Sequence, residues 1–281
     1  MSTAELERLF TAARQIAIEA GEAILAVYHR DFAVQHKQDQ SPLTEADLAA
    51  NRIIVEGLQR LTPELPVLTE EGALPAWAER SGWSRYWLVD PLDGTREFVN
   101  RNDEFTVNIA LVEEHQPILG IVYAPALSLM YGAIRQQGVW RWDEAGERQP
   151  IACRARPPEG PVRVAISRSH MSDQDCRLLE RLGPHEVIRC GSALKSCLIA
   201  EGTADLYPRL GPTSEWDTAA AQCVLEEAGG YMTDTRMNRL ACNRRESVLN
   251  PPFFAFAPPW TNWSRYLDAP ADQNRQGDPA S

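Results

Sequence analysis

Hydrophobic side chains recur at two different spacings along the first half of the chain. Over residues 4–28 and 45–61 they return every three or four positions, which predicts two amphipathic helices. Shorter apolar runs bounded by Gly, Pro and polar residues follow, and they predict β-strands over residues 86–89, 105–112, 118–123, 129–134 and 139–142. Helices followed by a run of strands are typical of an antiparallel or mixed sheet that the helices cover.

The second half alternates between the two patterns. Strands are predicted over residues 162–166, 186–189 and 204–207, and helices over 173–181, 192–201 and 217–228, which indicates an α/β layer. We place an N-terminal half at residues 1–152 and a C-terminal half at residues 153–268, joined by an Arg- and Pro-rich connection. Residues 269–281 are poor in large apolar side chains, so they predict a disordered tail.

A pair of carboxylates, Asp90 and Asp93, follows the apolar run Trp87–Val89 directly. Pro91 fixes its own φ and Gly94 permits a tight turn, so both charges lie on a rigid segment. Two fixed carboxylates repel each other unless a cation neutralises them, and Mg²⁺, which prefers oxygen ligands, is the cation expected here. Because D-x-x-D-G is also ordinary turn chemistry, this segment by itself leaves a structural role open.

Further acidic residues favour a metal site. Glu70 and Glu71 follow a second apolar stretch, Asp217 opens a predicted helix, and Asp47 lies just ahead of another apolar helical pattern. Asp217 could equally be a helix N-cap, and Asp47 could close a capping box with Thr44. Each of these local roles explains one residue, whereas a shared cation explains all of them together.

Several motifs resemble a known family of enzymes. L-T-E-E-G, W-L-V-D-P-L-D-G-T and E-W-D-T-A-A, in that order, resemble the inositol monophosphatase superfamily of Mg²⁺-dependent, lithium-sensitive phosphatases, and the match runs from about residue 12 to about residue 257. Within it, E-F-T-V-N-I-A-L, I-S-R-S-H, G-S-A-L-K-S-C-L-I-A-E-G and A-D-L-Y-P-R-L-G-P-T are similar to the bacterial 3′(2′),5′-bisphosphate nucleotidases. The resemblance implies an α/β fold in five layers, an αβαβα sandwich, with the metal site where the two halves meet.

The resemblance also implies roles for individual residues. Two or three Mg²⁺ ions would activate the attacking water, and Thr95 would orient that water and pass its proton to Asp47, with Glu71 assisting. The implied metal ligands are Glu70, Asp90, the backbone carbonyl of Leu92, Asp93 and Asp217. The implied substrate contacts are Glu70, Leu92, Asp93, Gly94, Thr95, Asp217 and four residues of the second half, His170, Ser192, Lys195 and Arg209.

Two of these second-half residues also have an interpretation from the sequence itself. Ser192 starts a predicted helix, where backbone N–H groups attract an anion, although an ordinary N-cap serine remains open. Only Lys37 and Lys195 are lysines among the 28 basic residues. A compact ammonium retained where arginine is otherwise used indicates a position that a guanidinium does not fit, with chance retention as the alternative.

The implied reaction is the release of the 3′-phosphate of adenosine 3′,5′-bisphosphate to give AMP, a step of sulfur metabolism, with 3′-phosphoadenylyl sulfate as a second candidate substrate. An inositol monophosphatase or fructose-1,6-bisphosphatase of the same superfamily is the alternative, and Lys195, Arg209 and I-S-R-S-H count against it. The D-x-x-D spacing and the lack of a downstream G-D-x-x-x-D motif exclude a haloacid-dehalogenase-type phosphatase. A sensor that binds metal or nucleotide without turnover would be expected to lack at least one residue of the proposed machinery, and all are present: Asp47, Glu70, Asp90, Asp93, Thr95 and Asp217.

Composition sets the remaining limits. A net charge of −11 over 281 residues argues against a nucleic-acid polymer as partner, whereas bound Mg²⁺ would reconcile an acidic pocket with a small phosphorylated nucleotide. No apolar run is long enough to span a membrane, and charged residues interrupt the N-terminus, which predicts no signal peptide. The six cysteines form no C-x-x-C pair. We therefore expect a cytoplasmic protein; the resemblance leaves open peripheral association with the inner membrane, and the oligomeric state is not predicted.

Overall fold

The structure of the protein is a computed structural model that describes residues 1–36, 42–156, 159–168 and 171–267. These residues contain seven α-helices and two short 3₁₀ helices, the latter at Pro125–Leu127 and Trp263–Tyr266. The α-helices are α1 (Thr3–Tyr28), α2 (Glu45–Leu61), α3 (Trp77–Arg80), α4 (Thr95–Val99), α5 (Asp173–Leu182), α6 (Leu194–Ala200) and α7 (Glu215–Glu227).

Helices α1 and α2 pack against each other at a glycine. A Cβ atom on Gly57 of α2 would lie 2.9 Å from the side chain of Ile16 on α1, so the two backbones approach more closely than an alanine would allow. The N-termini are capped as their sequences indicate: the Ser2 hydroxyl accepts a hydrogen bond from the Glu5 N–H, and the Thr44 hydroxyl accepts one from the Ala46 N–H. Both predicted helices of the first half are thus present.

The described residues of the first half contain nine strands. Strands β1 (Gln35–His36) and β2 (Pro42–Leu43) form a small antiparallel pair. The other seven form one mixed sheet in chain order, in which β3 runs parallel to β4 and every later neighbour is antiparallel. They are β3 (Val67–Thr69), β4 (Arg85–Asp93), β5 (Thr106–Glu113), β6 (Gln116–Ala124), β7 (Leu129–Ile134), β8 (Gly138–Trp142) and β9 (Arg148–Pro150).

The second sheet has five strands in the order β11, β10, β12, β14, β13. Strand β10 (Val162–Ser167) pairs in parallel with β11 (His185–Cys190) and β12 (Leu206–Arg209), while β14 (Phe253–Phe256) runs antiparallel to β12 and to β13 (Tyr231–Asp234). Parallel neighbours need a crossover, which α5 supplies between β10 and β11. Both strands therefore end at the same edge of the sheet, where Ser167 is paired with Cys190.

Alternating side chains divide the interior into layers. On β4, Trp87 and Val89 face the core shared with α1 and α2, whereas Tyr86 and Leu88 face the core shared with α6, α7 and the second sheet. The opposite face of the second sheet packs against α5. The order of layers is helix, sheet, helix, sheet, helix, which confirms the predicted αβαβα sandwich.

Helix α7 lies directly on the first sheet although it comes from the second half of the chain. A Cβ atom on Gly120 of β6 would lie 2.3 Å from the carbonyl oxygen of Ala220 and 2.9 Å from the Cβ atom of Cys223. The glycine therefore removes the side chain that would otherwise separate helix from sheet. This close approach brings the N-terminus of α7 to the end of β4.

We expect Gly120→Ala to lower the free energy of unfolding by about 1–3 kcal/mol, because the added methyl group overlaps the backbone of α7. Gly211→Ala is the matched control, since its added methyl group meets no described atom within 4 Å; we expect a change within about 0.5 kcal/mol. Urea unfolding of both variants measures the difference. Equal stability of the two variants would contradict the close helix–sheet contact.

Several elements were not predicted from the sequence. Strands β1, β2, β3, β9 and β13 and the short helices α3 and α4 lack a periodic pattern long enough to reveal them, whereas the apolar run of β14 between prolines was an available signal that the prediction did not use. The division of the chain at residue 152 stays a prediction, and the predicted tail at residues 269–281 lies outside the described residues. No helix in the described part of the chain is long and apolar enough to cross a membrane.

Candidate active site

The end of β4 forms a rigid acidic turn. Pairing with β5 is regular as far as Asp90, opposite Asn108, and then becomes irregular until Asp93 pairs with Thr106. The Leu92 N–H donates to the Asp90 Oδ1 at 3.0 Å. Because Pro91 has no N–H group and therefore cannot continue the ladder, the strand bulges at this point.

A group of three carboxylates meets at this turn. Glu70 follows β3, where its N–H donates to the Val89 carbonyl at 3.2 Å, and Asp217 lies in the first turn of α7. One carboxylate oxygen each from Glu70, Asp90 and Asp217 lies within 4.8 Å of the others. Asp93 is not part of this group, but it lines the adjoining cleft. Three chain segments far apart in sequence thus bring their acidic groups together, as the separate motifs predict.

Burial and mutual repulsion disfavour ionisation of Asp90, Asp93 and Asp217. Burial raises the pKa of Asp90 well above its usual range, and the charges of Glu70, Asp93 and Asp217 raise it further. The pKa of Asp217 is also raised well above its usual range, by burial first and then by Asp93 and Glu70. For Asp93, burial raises the pKa to about 6, against the opposing effect of the Lys195 ammonium.

Thr95 connects the acidic turn to Asp47. The Thr95 Oγ1 lies 3.3 Å from the Asp47 Oδ1 and 3.4 Å from the Leu92 carbonyl oxygen, so a single hydroxyl is shared between two acceptors. Asp47 is buried, and its Oδ2 accepts hydrogen bonds from the N–H and the hydroxyl of Thr44, both at 2.7 Å. The capping box that the sequence left open therefore exists, and it holds Asp47 so that its other oxygen faces Thr95.

Asp217 likewise takes part both in helix capping and in the group of three carboxylates. Its Oδ2 accepts a hydrogen bond from the Ser214 N–H at 2.9 Å, which closes the N-terminus of α7. The helix begins at Glu215 and its N-cap is Ser214, so Asp217 lies in the third helical position and is not the N-cap. For both Asp47 and Asp217, the local capping role and a place beside the acidic turn are compatible.

The opposite wall of the cleft is basic and comes from the second half. Ser192, Lys195 and Arg209 all line the cleft, as does the acidic turn from Asp93 to Thr95. The helix predicted to start at Ser192 starts instead at Leu194, because Ser192 has a left-handed φ of 43° that a helix cannot include. Ser192 therefore lies in a turn ahead of α6, and its buried hydroxyl oxygen has no hydrogen-bond partner among the described residues.

Lys195 occupies a narrow space. Its side chain is 4% exposed, its Nζ donates to the Ser192 carbonyl at 2.5 Å, and the same Nζ lies 5.1 Å from the centre of the Tyr207 ring. A planar guanidinium is broader than an ammonium and needs more hydrogen-bond acceptors. The surroundings therefore explain why a lysine stands here in an arginine-rich chain.

Other residues that line the cleft were not predicted from the sequence. Arg96 follows Thr95 directly and lines the cleft as an exposed side chain, and the described residues offer its guanidinium no hydrogen bond or ion pair. A basic residue next to the acidic turn was the available signal. Ser167, Tyr207 and Thr213 also line the cleft, but they come from strand ends and loops where the sequence has no distinctive motif.

Three other residues were predicted to take part in the site, and their positions differ from one another. Arg209 donates from its Nε to the Thr213 hydroxyl at 2.7 Å and from its Nη2 to the Pro212 carbonyl at 2.6 Å, which fixes its guanidinium at the cleft. Glu71 lies beside Glu70, but it belongs neither to the group of three carboxylates nor to the residues that line the cleft. His170 lies outside the described residues. The roles assigned to all these side chains stay predictions.

Comparison with known proteins places these features in a family. The model of the inositol monophosphatase family matches residues 5–265. The chain is 52% identical over 242 residues to the 3′(2′),5′-bisphosphate nucleotidase CysQ of Salmonella typhimurium and 50% identical over 242 residues to that of Escherichia coli strain K12; each alignment covers 85% of this chain and 96% of the relative.

A solved structure agrees with these sequence matches. The crystal structure of CysQ from Bacteroides thetaiotaomicron, described as a bacterial member of the inositol monophosphatase family, superimposes with a TM-score of 0.75 at 37% identity. The superposition covers 89% of this chain and 97% of that one. With sequence motifs, layered fold and relatives in agreement, the chain belongs to the inositol monophosphatase family.

Proposed function

We propose that this chain is a Mg²⁺-dependent 3′(2′),5′-bisphosphate nucleotidase that converts adenosine 3′,5′-bisphosphate to AMP and phosphate. The observation that supports this most directly is the distribution of charge in one cleft. The acidic turn lines one wall, and Lys195 and Arg209 line the other. A substrate with two phosphates can place one phosphate at the basic wall and the other at the acidic wall, where bound Mg²⁺ would neutralise the carboxylates. The names of the relatives that are 50–52% identical agree with this proposal.

The acidic group fits Mg²⁺. Its donors are all oxygen atoms, they converge from three segments, and their repulsion in a buried place is the condition that a divalent cation relieves. We propose that Glu70, Asp90, Asp93, Asp217 and the Leu92 carbonyl hold two or three ions. Bound Mg²⁺ supplies positive charge that stabilises the phosphoryl oxygens and lowers the pKa of a nearby water.

The chain's own residues would position the reactants and move the proton. The Thr95 hydroxyl, fixed between Asp47 and the Leu92 carbonyl, is placed to orient the attacking water. Asp47 then takes the proton through Thr95, because its Oδ1 is the acceptor of that hydroxyl. Glu71 would assist as a nearby carboxylate, without contact to the cleft.

Lys195, Arg209, Ser192 and His170 are proposed to hold the part of the substrate that is not cleaved. Lys195 and Arg209 provide charge that does not depend on the metal ions, and the unpartnered hydroxyl of Ser192 can donate to an anion. Such contacts would distinguish a bisphosphate from a monophosphate. The same contacts would accept 3′-phosphoadenylyl sulfate, whose 5′ group is also anionic.

The first experiment measures phosphate release from adenosine 3′,5′-bisphosphate, inositol 1-phosphate and fructose 1,6-bisphosphate, with and without Mg²⁺. We expect release to depend on Mg²⁺, to be inhibited by lithium and to favour the nucleotide. Asp90→Asn should lower kcat by at least about a thousandfold while circular dichroism stays unchanged. Preference for inositol 1-phosphate or fructose 1,6-bisphosphate would contradict the substrate proposal, and an undiminished rate in Asp90→Asn would contradict the metal site.

Thermal and urea unfolding test the metal site without turnover. In the absence of divalent cations, Asp90→Asn should raise the free energy of unfolding by about 1–2 kcal/mol, because a buried negative charge is lost while the amide oxygen still accepts from Leu92. Mg²⁺ at a hundredfold excess over Kd should stabilise the unsubstituted protein by about 2.7 kcal/mol and the variant much less.

Asp175→Asn is the matched control for this measurement. Asp175 is a buried carboxylate that also accepts from the N–H of a helix N-cap, Ser172, but it lies on α5, away from the acidic turn. Its substitution should lower stability and leave the Mg²⁺ effect intact. If both variants respond equally to Mg²⁺, the three carboxylates do not form the metal site.

Lys195→Gln tests the basic wall. We expect KM for adenosine 3′,5′-bisphosphate to rise about ten- to a hundredfold, the usual worth of a charge-assisted hydrogen bond, with a smaller change for adenosine 3′-monophosphate. Lys195→Arg should also lose affinity, since the space beside Tyr207 suits an ammonium. An equal loss on both substrates would assign Lys195 to the cleaved phosphate instead.

A further inference from the structure

Glu104 joins the two sheets beside the cleft. It lies in the loop between α4 and β5, and its carboxylate accepts three hydrogen bonds from the second half of the chain. Arg168 donates from Nε to Oε2 at 2.8 Å and from Nη2 to Oε1 at 2.6 Å, and the Gly191 N–H donates to Oε2 at 2.8 Å. Ion pairs of this bidentate form are the stronger and more directional ones.

The donors come from the ends of two neighbouring parallel strands. Arg168 follows β10 and Gly191 follows β11, and the Arg168 Nη2 also donates to the Arg189 carbonyl at 3.2 Å. One carboxylate from the first half therefore fixes the edge of the second sheet at two points. No other described residue donates a hydrogen bond to this carboxylate.

Gly191 lies in direct contact with the loop that carries Glu104. A Cβ atom on Gly191 would lie 2.5 Å from the Glu104 carbonyl oxygen and 2.7 Å from the Cγ atom of Glu97. Only a glycine allows this approach of the two backbones. The turn that starts at Gly191 is therefore held both by the carboxylate and by the shape of the loop.

This turn carries the basic wall of the cleft. Ser192 follows Gly191 with its left-handed φ, and its carbonyl accepts from Lys195. In the acidic turn, a Cβ atom on Gly94 would lie 3.3 Å from the Glu104 carbonyl oxygen and 3.3 Å from the Cβ atom of Ser192. The acidic turn, the turn that begins at Gly191 and the backbone of Glu104 therefore lie close together at this point.

We propose that Glu104 is a positioning residue, which sets the spacing between the acidic turn and the Ser192–Lys195 wall and thereby the selectivity for substrates with two anionic groups. This inference rests on the proposed function for its kinetic consequence. A phosphate bound at the acidic turn alone does not depend on that spacing, whereas a bisphosphate that reaches both walls does.

The kinetic test compares Glu104→Ala on adenosine 3′,5′-bisphosphate and adenosine 3′-monophosphate. We expect KM for the bisphosphate to rise about tenfold or more, with kcat changed less than about threefold and the monophosphate constants changed less than about threefold. Loss of a negative charge alone would strengthen the binding of an anion, so a rise in KM has the opposite sign from simple electrostatics. Equal losses on both substrates, or no loss, would overturn the proposal.

Three further variants separate positioning from a general effect on the fold. Glu104→Gln keeps an acceptor for the Gly191 N–H and should restore most of the affinity, and Arg168→Ala should give a partial loss; both stay informative if Glu104→Ala does not fold. Glu113→Ala is the matched control, because Glu113 also accepts two hydrogen bonds from one arginine, Arg85, although both reach its Oε1 and the pair lies within the first sheet. It is similarly exposed, 23% against 17% for Glu104, and should show no substrate-selective loss.

Amide hydrogen exchange tests the positioning without any substrate. Exchange over residues 190–196 should become about tenfold faster or more in Glu104→Ala and stay unchanged in Glu113→Ala. Unchanged exchange in Glu104→Ala would overturn the proposal. If the unsubstituted protein releases no phosphate from the bisphosphate, the proposed function fails, and the exchange result still decides whether Glu104 holds this turn.

Discussion

Repulsion between carboxylates at the end of a buried strand is the constraint on which the site depends. Asp90 is nearly inaccessible to water, and the carboxylates of Glu70, Asp93 and Asp217 all oppose its ionisation. Holding these groups together lowers the free energy of unfolding unless a cation binds between them. The bulge after Asp90, the close contact of α7 with the first sheet and the capping interactions all act to keep the charges in place.

Helix capping and the acidic site use the same side chains. Asp47 and Asp217 each occupy the third position of a helix and accept a hydrogen bond from the preceding N-cap residue. A carboxylate has two oxygens and several lone pairs, so one interaction fixes the side chain and the other oxygen stays directed elsewhere. For Asp47 that second oxygen is the acceptor of Thr95. The backbone at the N-terminus of each helix therefore positions the carboxylate.

The acidic turn and the long helices could be predicted from the sequence, because each depends on residues close together in the chain. The order of layers was predictable only through the family resemblance. Ser192 shows the limit: a serine after a glycine indicates a helix start, but Ser192 has a left-handed φ and the helix begins two residues later. Glu104 has no motif of its own, since its partners Arg168 and Gly191 lie more than 60 residues away. Contacts of that kind depend on how the sheets meet, which local patterns do not specify.

The position of α7 has a consequence for synthesis of the chain. All seven strands of the first sheet are complete by residue 150, yet the face that carries Leu88, Val122 and Tyr131 is covered by α7, which ends at Glu227. During translation, this apolar face stays uncovered while more than a quarter of the chain is synthesised after it. We therefore expect the nascent protein to need protection from aggregation on the ribosome during that interval, and the acidic site to form only after it.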